Sequence, residues 1–219
     1  MTQPWWFLRS PPAPAAYNMA VDETLLRFAA RRAQPLLRLY CWSEPAVTFG
    51  YFQKFPHHIA DTHTVIRRPT GGGIVYHTAD TTYSVVAPPG HPLHQMPTPE
   101  AYRLLHRAVA LALNRQSQLC NRPVPLRGSY ECFQNPVAGD VIAPDGTKLA
   151  GAAQRRSRLG LLHQGSIAIK VSAEDLTRGF RDVLDAEFAD YTLRPDELAL
   201  AERLAREKYG TESWNRRIA

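Results

Sequence analysis

A cysteine and a lysine sixteen positions apart are the residues of this chain best suited to covalent chemistry. Cys132 is one of three cysteines and Lys148 is one of four lysines among 219 residues. A thiol is a good nucleophile as its thiolate, and a nearby ammonium stabilises that anion. The segments 139–143 and 147–154 predict a β-hairpin with a turn at Asp145-Gly146, a reversal that could bring the two side chains together. A buried thiol and a solvated ammonium are the competing interpretation.

A run of three glycines is the second candidate site. Gly71, Gly72 and Gly73 follow a β-type run in RRPTGGGIVYH, where the missing Cβ atoms let the backbone approach a ligand and its N–H groups could hold an oxygen. A flexible hairpin turn is the alternative. The spacing matches neither a P-loop nor a dinucleotide fingerprint. Arg67 and Arg68 alternate along a strand, so we expect only one of them to face a ligand. His77 ends the motif and is a weaker candidate.

Two further segments carry small or polar residues inside apolar strands. Gly165 and Ser166 interrupt LLHQGSIAI, which indicates a bulge or a close backbone approach, and His163 in the same strand is a candidate acid or base. An ordinary core strand is the alternative. The small residues after Lys148, Gly151 and Ala152 among them, would leave a groove beside its ammonium.

The elements that must position these residues alternate between strand and helix patterns. Asn18 is expected to cap a helix through NMAVDETLLRFAARR, and Thr98-Pro99 opens a second helix reaching about Asn114. Strands are predicted at 36–41, 46–52, 64–68, 81–88, 139–143, 147–154 and 161–171. This order predicts an α+β (mixed α/β) fold with a mixed, largely antiparallel sheet flanked by helices. We expect a single domain over 1–219, ending in a short helical C-terminal tail (about 173–219).

Composition narrows the class of protein. The chain has 44% hydrophobic and 21% charged residues, values ordinary for soluble globular proteins, and no apolar run of the about 20 residues that span a bilayer. The N-terminus does not resemble a signal peptide, and the cysteine spacing matches no zinc or disulfide framework, so we expect a cytoplasmic protein without a metal.

Charge is unevenly distributed along the chain. Residues 1–173 carry a net charge of +9 and residues 174–219 carry −3. A basic body favours acidic partners. Because no stripe of alternating basic and aromatic residues is present, nucleic acid is not an expected partner.

Several segments, in their order along the chain, resemble the lipoate–protein ligase and octanoyltransferase family, which shares its catalytic domain with biotin–protein ligases. The matching segments are NMAVDETLL, FGYFQ, RRPTGGGIVYH, TYSVV, KLAGAAQRR, LLHQGSIAI and KYGTESWNRR. They span almost the whole chain, and RRPTGGG and KLAG are the most specific. The resemblance implies a mixed sheet flanked by helices, in agreement with the strand and helix patterns.

Within that family the chain is most similar to octanoyltransferases that use a cysteine nucleophile. Cys132-Phe133 and Lys148 occupy the matching places, which implies that Cys132 carries the acyl group while Lys148 lowers its pKa and orients the acyl carbonyl. The implied donor is octanoyl-acyl carrier protein, and the implied acceptor is a lipoyl domain such as the glycine-cleavage H protein. No cofactor is implied, and we expect a monomer. The substrate-binding residues would be Arg68, Gly71, Gly72, Gly73, His77, Gly151, Ala152, His163, Gly165 and Ser166.

Three departures from the family pattern keep other functions open. Ala152 stands where a serine is common, Gln164 is inserted between His163 and Gly165, and Thr78 replaces an aspartate common in the ligases, with Asp80 two positions further on. The first alternative is an ATP-dependent lipoate–protein ligase, using ATP and Mg²⁺, in which Lys148 touches a lipoyl-adenylate. The second is a non-catalytic binder of lipoyl domains or acyl groups. The Cys132-Phe133 pair and the short chain favour the transferase.

Overall fold

The computed structural model describes residues 2–121 and 135–218, which form helices and strands in alternation. The strands are β1 (Gln3–Arg9), β2 (Leu36–Tyr40), β3 (Ala46–Phe49), β4 (Thr64–Arg67), β5 (Val75–His77), β6 (Thr81–Ala87), β7 (Gln118–Leu119), β8 (Val141–Ile142), β9 (Lys148–Ser157), β10 (Gly160–Ile167) and β11 (Ala186–Asp190). The helices are α1 (Ala15–Arg27), α2 (Ala29–Arg32), α3 (His57–Ala60), α4 (Pro92–Gln95), α5 (Thr98–Ala112), α6 (Ala173–Leu184), α7 (Pro195–Leu204) and α8 (Glu212–Asn215), with a π-helical turn at Ala205–Tyr209.

The main sheet runs in the order β11-β1-β2-β6-β10-β9-β8-β7 over the described residues. Only the two pairings of β1 are parallel, and the pairings from β2 to β7 are antiparallel. A smaller sheet of order β4-β3-β5 lies beside it. The predicted mixed, largely antiparallel sheet flanked by helices is therefore confirmed.

Both faces of the main sheet are covered, because side chains alternate along each strand. Tyr83 and Leu161 point to one face and pack with Leu105 of α5 and Phe180 of α6. Their strand neighbours point to the other face, where Val86 and Leu162 pack with Val21 and Leu25 of α1. The sheet residues nearest α1 include the polar ones that form the candidate site. No helix among the described residues is long and apolar enough to cross a membrane.

The hairpin predicted around Asp145-Gly146 is confirmed by the pairing of β8 with β9. Gly146 adopts a φ of +85°, a left-handed conformation that glycine tolerates without steric cost. The Gly146 amide donates to the Ala143 carbonyl, and the Ala143 amide donates to the Thr147 carbonyl. This turn places Lys148 at the start of β9, the strand that carries the small residues.

The predicted capping role of Asn18 is wrong. Helix α1 begins three residues earlier, at Ala15, and Asn18 is buried inside its first turn. Its side-chain amide donates to the carbonyls of Ala13 and Cys41, both at 3.0 Å, and its Oδ1 accepts from Arg38. The residue therefore satisfies irregular backbone outside the helix instead of the first amides of α1.

The segment predicted as a helical tail also contains a strand. Between α6 and α7, β11 pairs in parallel with β1, and Trp5 lies opposite Phe188. These two rings meet edge to face with centroids 6.0 Å apart. Strand β1 was not predicted, although its aromatic run QPWWFLR has the composition of a strand. The two strands extend the main sheet at the edge far from Lys148.

Candidate active site

Lys148 forms a buried ion pair at the start of β9. Its Nζ lies 2.7 Å from Oδ2 of Asp140, and both side chains are almost fully buried. Asp140 is held by two more donors, the hydroxyl of Tyr102 at 2.5 Å and the amide of Val137 at 2.8 Å. These contacts satisfy the oxygens of the buried carboxylate and fix its position. The arrangement therefore fixes a cationic ammonium at a defined point of the interior.

Gly151 makes room for that ammonium. A Cβ built at Gly151 would lie 2.4 Å from Cε and 2.6 Å from Nζ of Lys148, distances far too short for non-bonded atoms. The end of the Lys148 side chain therefore occupies the space that a side chain at position 151 would fill. The neighbouring Ala152 amide donates to the Tyr102 hydroxyl at 3.0 Å, so α5 fixes both the carboxylate and this part of β9.

A pocket lies directly beside Gly151, with about 430 Å³ of space that is partly open to solvent. It lies on the α1 face of the sheet and reaches the small sheet. Its lining residues are Met19, Tyr40, Trp42, Thr48, Arg68, Val75, His77, Thr82, Gly151, Ala152, Ala153, Gln164, Gly165 and Ser166. Although many of these residues are polar, most of the surface they present to the pocket is apolar.

Asp80 explains part of that apolar surface, because it draws three polar groups of the lining away from the pocket. His77 donates from Nδ1 at 2.8 Å, and the hydroxyls of Ser166 and Thr82 donate at 2.6 and 3.0 Å. Burial raises the pKa of Asp80, but these hydrogen bonds outweigh it and leave the pKa below its ordinary value. On its other side, Nε2 of His77 lies within hydrogen-bond distance of the Thr48 hydroxyl, at 2.9 Å. The His77 ring stacks on Trp42, with the ring centroids 4.1 Å apart.

Asp22 of α1 plays the same part on the opposite wall. Its carboxylate accepts from Arg38 and Ser84 on Oδ1, and from Tyr40 and Gln164 on Oδ2. All of these groups are buried. The polar atoms of Tyr40 and Gln164 are thereby occupied, which leaves their apolar parts to line the pocket. A pocket of this kind suits a hydrocarbon chain.

The glycine loop is held by the second arginine of the RR pair. Arg68 donates to the carbonyls of Gly71 and Gly73 and to the Thr48 hydroxyl. Gly72 has a φ of +88°, and a Cβ there would lie 2.7 Å from the Arg68 guanidinium. Arg68 lines the pocket, whereas the three loop glycines do not.

Arg67 faces away from the pocket and anchors the C-terminal segment. Its guanidinium donates to the carbonyls of Tyr51, Gln53 and Asn215. Glu23 of α1 holds the same segment by accepting from Lys208 and from Tyr209, both at 2.6 Å. Arg67 and Glu23, which both lie in matching motifs, therefore hold the C-terminal segment in place.

His163 lies on the other face of the sheet, against α5. Its Nδ1 accepts from Gln154, which leaves Nε2 to donate to the Tyr83 hydroxyl at 3.0 Å. Burial lowers its pKa well below the ordinary value, and the neighbouring His106 adds to the effect. Burial also lowers the pKa of His106 to about 4. Both imidazoles are therefore neutral structural groups at neutral pH.

Six of the predicted substrate-binding residues line one pocket: Arg68, His77, Gly151, Ala152, Gly165 and Ser166. Gly71–Gly73 lie beside it, and His163 lies behind the sheet. Cys132 falls outside the described residues. Within residues 2–121 and 135–218, no group of three His, Cys, Asp or Glu side chains could hold a metal ion.

Sequence reasoning missed the residues that hold the site together: Asp22, Thr48, Asp80, Tyr102, Asp140 and Gln164. Asp140 lies within the predicted strand 139–143, and Gln164 and Asp80 stand at departures from the family pattern, but the sequence alone assigns none of them a role. Asp140 carried one usable signal, since it stands at the start of the strand that pairs with the lysine strand.

The sequence matches the model of the lipoyl protein ligase A/B catalytic domain family over residues 14–192. The chain belongs to this family. Among its relatives, octanoyltransferase LipM of Geobacillus kaustophilus is 30% identical, over 96% of this chain and 97% of the relative. Octanoyltransferase LipM of Brevibacillus brevis is 29% identical, over 97% and 99%. The predicted resemblance is therefore confirmed.

Solved structures of the lipoyl protein ligase family agree with the fold. Protein Ta0514 of T. acidophilum, solved with bound lipoic acid, superposes with a TM-score of 0.77 at 23% identity, and each chain is covered completely. Lipoate-protein ligase A bound with ATP superposes with a TM-score of 0.73 at 24% identity, over 98% of both chains. At this level of identity the likeness establishes a shared fold.

Proposed function

We propose that this chain carries an octanoyl group on Cys132 and passes it to the lysine of a lipoyl domain. The chain is an octanoyltransferase, the activity named for relatives that match it over nearly their whole length. Such enzymes imply a lipoyl-domain acceptor protein. The cysteine thioester, octanoyl-acyl carrier protein as donor and the glycine-cleavage H protein as one acceptor belong to the proposal.

The observation that carries the proposal is the buried Lys148–Asp140 pair beside an apolar pocket. The Lys148 Nζ lies next to Gly151, and Gly151 lines the pocket. An acyl chain in the pocket would therefore place its carbonyl carbon near a fixed positive charge. That charge would stabilise a thiolate as well as the oxyanion formed when the thioester is attacked.

The reaction we propose is a double displacement. The Cys132 thiolate attacks the octanoyl thioester, a new sulfur–carbon bond forms, and the donor leaves as a thiol after taking a proton. The neutral amine of the acceptor lysine then attacks the octanoyl-enzyme and forms an amide. The bond from carbon to the Cys132 sulfur breaks, the sulfur leaves as a thiolate, and the proton lost by the amine passes to solvent. The first exchange replaces one thioester with another, and the more stable amide drives the second, so neither step requires ATP.

Intact-mass spectrometry tests the proposal. After incubation with octanoyl-acyl carrier protein, the wild-type chain should gain one octanoyl group, and a lipoyl domain added without ATP should then gain it. Cys132→Ser should abolish both gains. Cys41→Ser is the matched control, because Cys41 is also a free thiol and lies outside the pocket lining.

Two outcomes would contradict this function. Full modification of the lipoyl domain by Cys132→Ser with lipoate and ATP would assign the chain to the ligases. A wild-type chain that binds a lipoyl domain but never gains octanoyl mass would be a binder. The cytoplasmic location, the single-domain organisation and the monomeric state stay predictions from the sequence.

A further inference from the structure

A second and larger cavity, with about 1100 Å³ of open space, is lined by residues of β9, β10 and α1. The same three elements line the pocket beside Gly151, which we call the acyl pocket. We call the larger cavity the basic groove, after four of its lining residues: Arg27, Arg155, Arg158 and Lys208. Its apolar floor includes Leu162. Neither the family match nor the names of the relatives gives this groove a role.

The groove continues the acyl pocket along the same elements. On the sheet, Ala153 pairs with Gln164 in the pocket, and Arg155 pairs with Leu162 in the groove. Residues two apart in a strand share a face and lie about 7 Å apart, so the second pair extends the wall formed by the first.

Helix α1 runs along both cavities in the same direction. Met19 lines the pocket, and Glu23 and Arg27 line the groove. Steps of four residues keep these side chains on one face of a helix. The sheet and the helix thus form two walls that pass from the pocket into the groove.

The groove carries excess positive charge. Glu23 is its acidic lining residue, and it forms salt bridges with Arg27 at 2.6 Å and with Lys208 at 2.6 Å. Arg155 donates from one nitrogen to the Pro69 carbonyl. Among the contacts of the described residues, its guanidinium forms no salt bridge with a carboxylate. Arg158 is exposed on the β9–β10 turn. One carboxylate against four cations leaves a groove suited to an anion.

We propose that the basic groove binds the phosphate of the arm that carries the donor's thioester. The inference rests on the proposed function, since it assumes an octanoyl thioester in the pocket. A carrier protein presents its thioester on a flexible arm joined through a phosphodiester, and that arm needs a path from the pocket to solvent. Arginine guanidinium groups bind phosphate oxygens through paired hydrogen bonds. The acceptor lysine brings a cation, which this groove disfavours.

The test compares two donors that differ only in the phosphate. Octanoyl-4′-phosphopantetheine and octanoyl-pantetheine are offered to the enzyme, and kcat/KM for acylation is followed by intact mass. We expect the wild type to favour the phosphorylated donor by about fivefold or more, as one charge-assisted contact permits. Added salt should narrow the preference. Arg158→Gln, and separately Arg155→Gln, should bring the ratio towards one.

Arg107→Gln is the matched control, because Arg107 is an exposed arginine of α5 on the opposite side of the sheet. It should keep the wild-type ratio. Equal rates with both donors in the wild type, or ratios unchanged in both groove variants, would overturn the inference while leaving the proposed function intact. A wild type that gains no octanoyl group from either donor, nor from octanoyl-acyl carrier protein, refutes the proposed function itself.

A second arm separates donor from acceptor. Octanoyl-enzyme prepared in advance is mixed with a lipoyl domain, and the rate of octanoyl loss is measured. Arg158→Gln should leave this rate near that of the wild type. If Arg158→Gln slows only this second step, the groove binds the acceptor. If the wild type binds ATP and Arg158→Gln does not, the groove binds a nucleotide. Either result overturns the inference.

Discussion

Adding one methyl group at Gly151 should displace the lysine of the site. The Cβ of Gly151→Ala would lie 2.4 Å from Lys148 Cε and 2.6 Å from its Nζ, whereas non-bonded carbon atoms pack at about 3.5–4.0 Å. The Gly151 backbone does not occupy the left-handed region, so alanine brings no backbone strain. The close contacts with Lys148, together with a third at 3.2 Å to Oδ1 of Asp140, therefore decide the outcome.

The expected magnitude follows from the distances. Lys148 must move by about 1 Å, and lengthening its 2.7 Å contact with Asp140 by that amount costs about 1.5 kcal/mol at an effective dielectric constant of about 20. Overpacking adds about 1 kcal/mol or more. We therefore expect the free energy of unfolding to fall by about 2–3 kcal/mol and Tm by about 5–10 °C. Octanoyl transfer should fall about 100-fold, as a misplacement of 1 Å can cause.

Urea unfolding and an octanoyl-transfer assay measure the two effects, and a second background isolates their cause. Where Lys148→Ala and Asp140→Asn remove both charged groups, Gly151→Ala meets no ammonium and should cost less than about 1 kcal/mol, because alanine also lowers the entropy of the unfolded chain. Equal costs in the two backgrounds would show that the clash with Lys148 is not the reason for the glycine.

Two further predictions concern the groups around this pair. Burial lowers the pKa of His106 from 6.5 to about 4, so the unfolded chain binds a proton between these values that the folded chain does not. His106 alone should therefore lower stability by about 2 kcal/mol from pH 7 to pH 5, so the fall should be smaller by about this amount in His106→Gln. Equal falls in urea unfolding of the two proteins would contradict this. Tyr102→Phe leaves Asp140 and the Ala152 amide each without one hydrogen-bond partner. The free energy of unfolding should fall by about 1–3 kcal/mol, and octanoyl transfer should slow about tenfold. Wild-type stability and rate in this variant would show that the Tyr102 hydroxyl does not hold the site.

The parts predicted correctly from the sequence rest on local signals. The Asp145-Gly146 turn, the proline that opens α5 and the apolar run of β10 each reflect a constraint within a few neighbouring residues. The alternation of Arg67 and Arg68 was equally local, and the structure places one towards the tail and the other at the pocket. Because strands and turns follow from such short-range rules, most of the individual strands and the class of the sheet could be predicted from the sequence, whereas the order of the strands could not.

The contacts that assemble the site are long-range. Asp140 meets Tyr102, 38 positions earlier, and Gln164 meets Asp22, 142 positions earlier. No local pattern indicates which buried carboxylate takes which partner. The prediction that Asn18 caps α1 was wrong for the same reason. Its sequence neighbours resemble those of a helix cap, but its contact with Cys41 spans 23 residues.

The departures from the family pattern modify one pocket wall and leave the charged pair in place. Gln164 bridges Asp22 and Thr70, and Asp80 supplies His77 with a carboxylate partner that Thr78 cannot provide. A binder without chemistry would have little use for a buried lysine and aspartate, because well-packed apolar residues of similar volume often leave a fold equally or more stable than a buried ion pair. The pair is held by Tyr102 and Val137 at a point where Gly151 has no side chain, an arrangement that stability alone does not explain. A charge needed at the acyl carbonyl accounts for both the pair and the glycine.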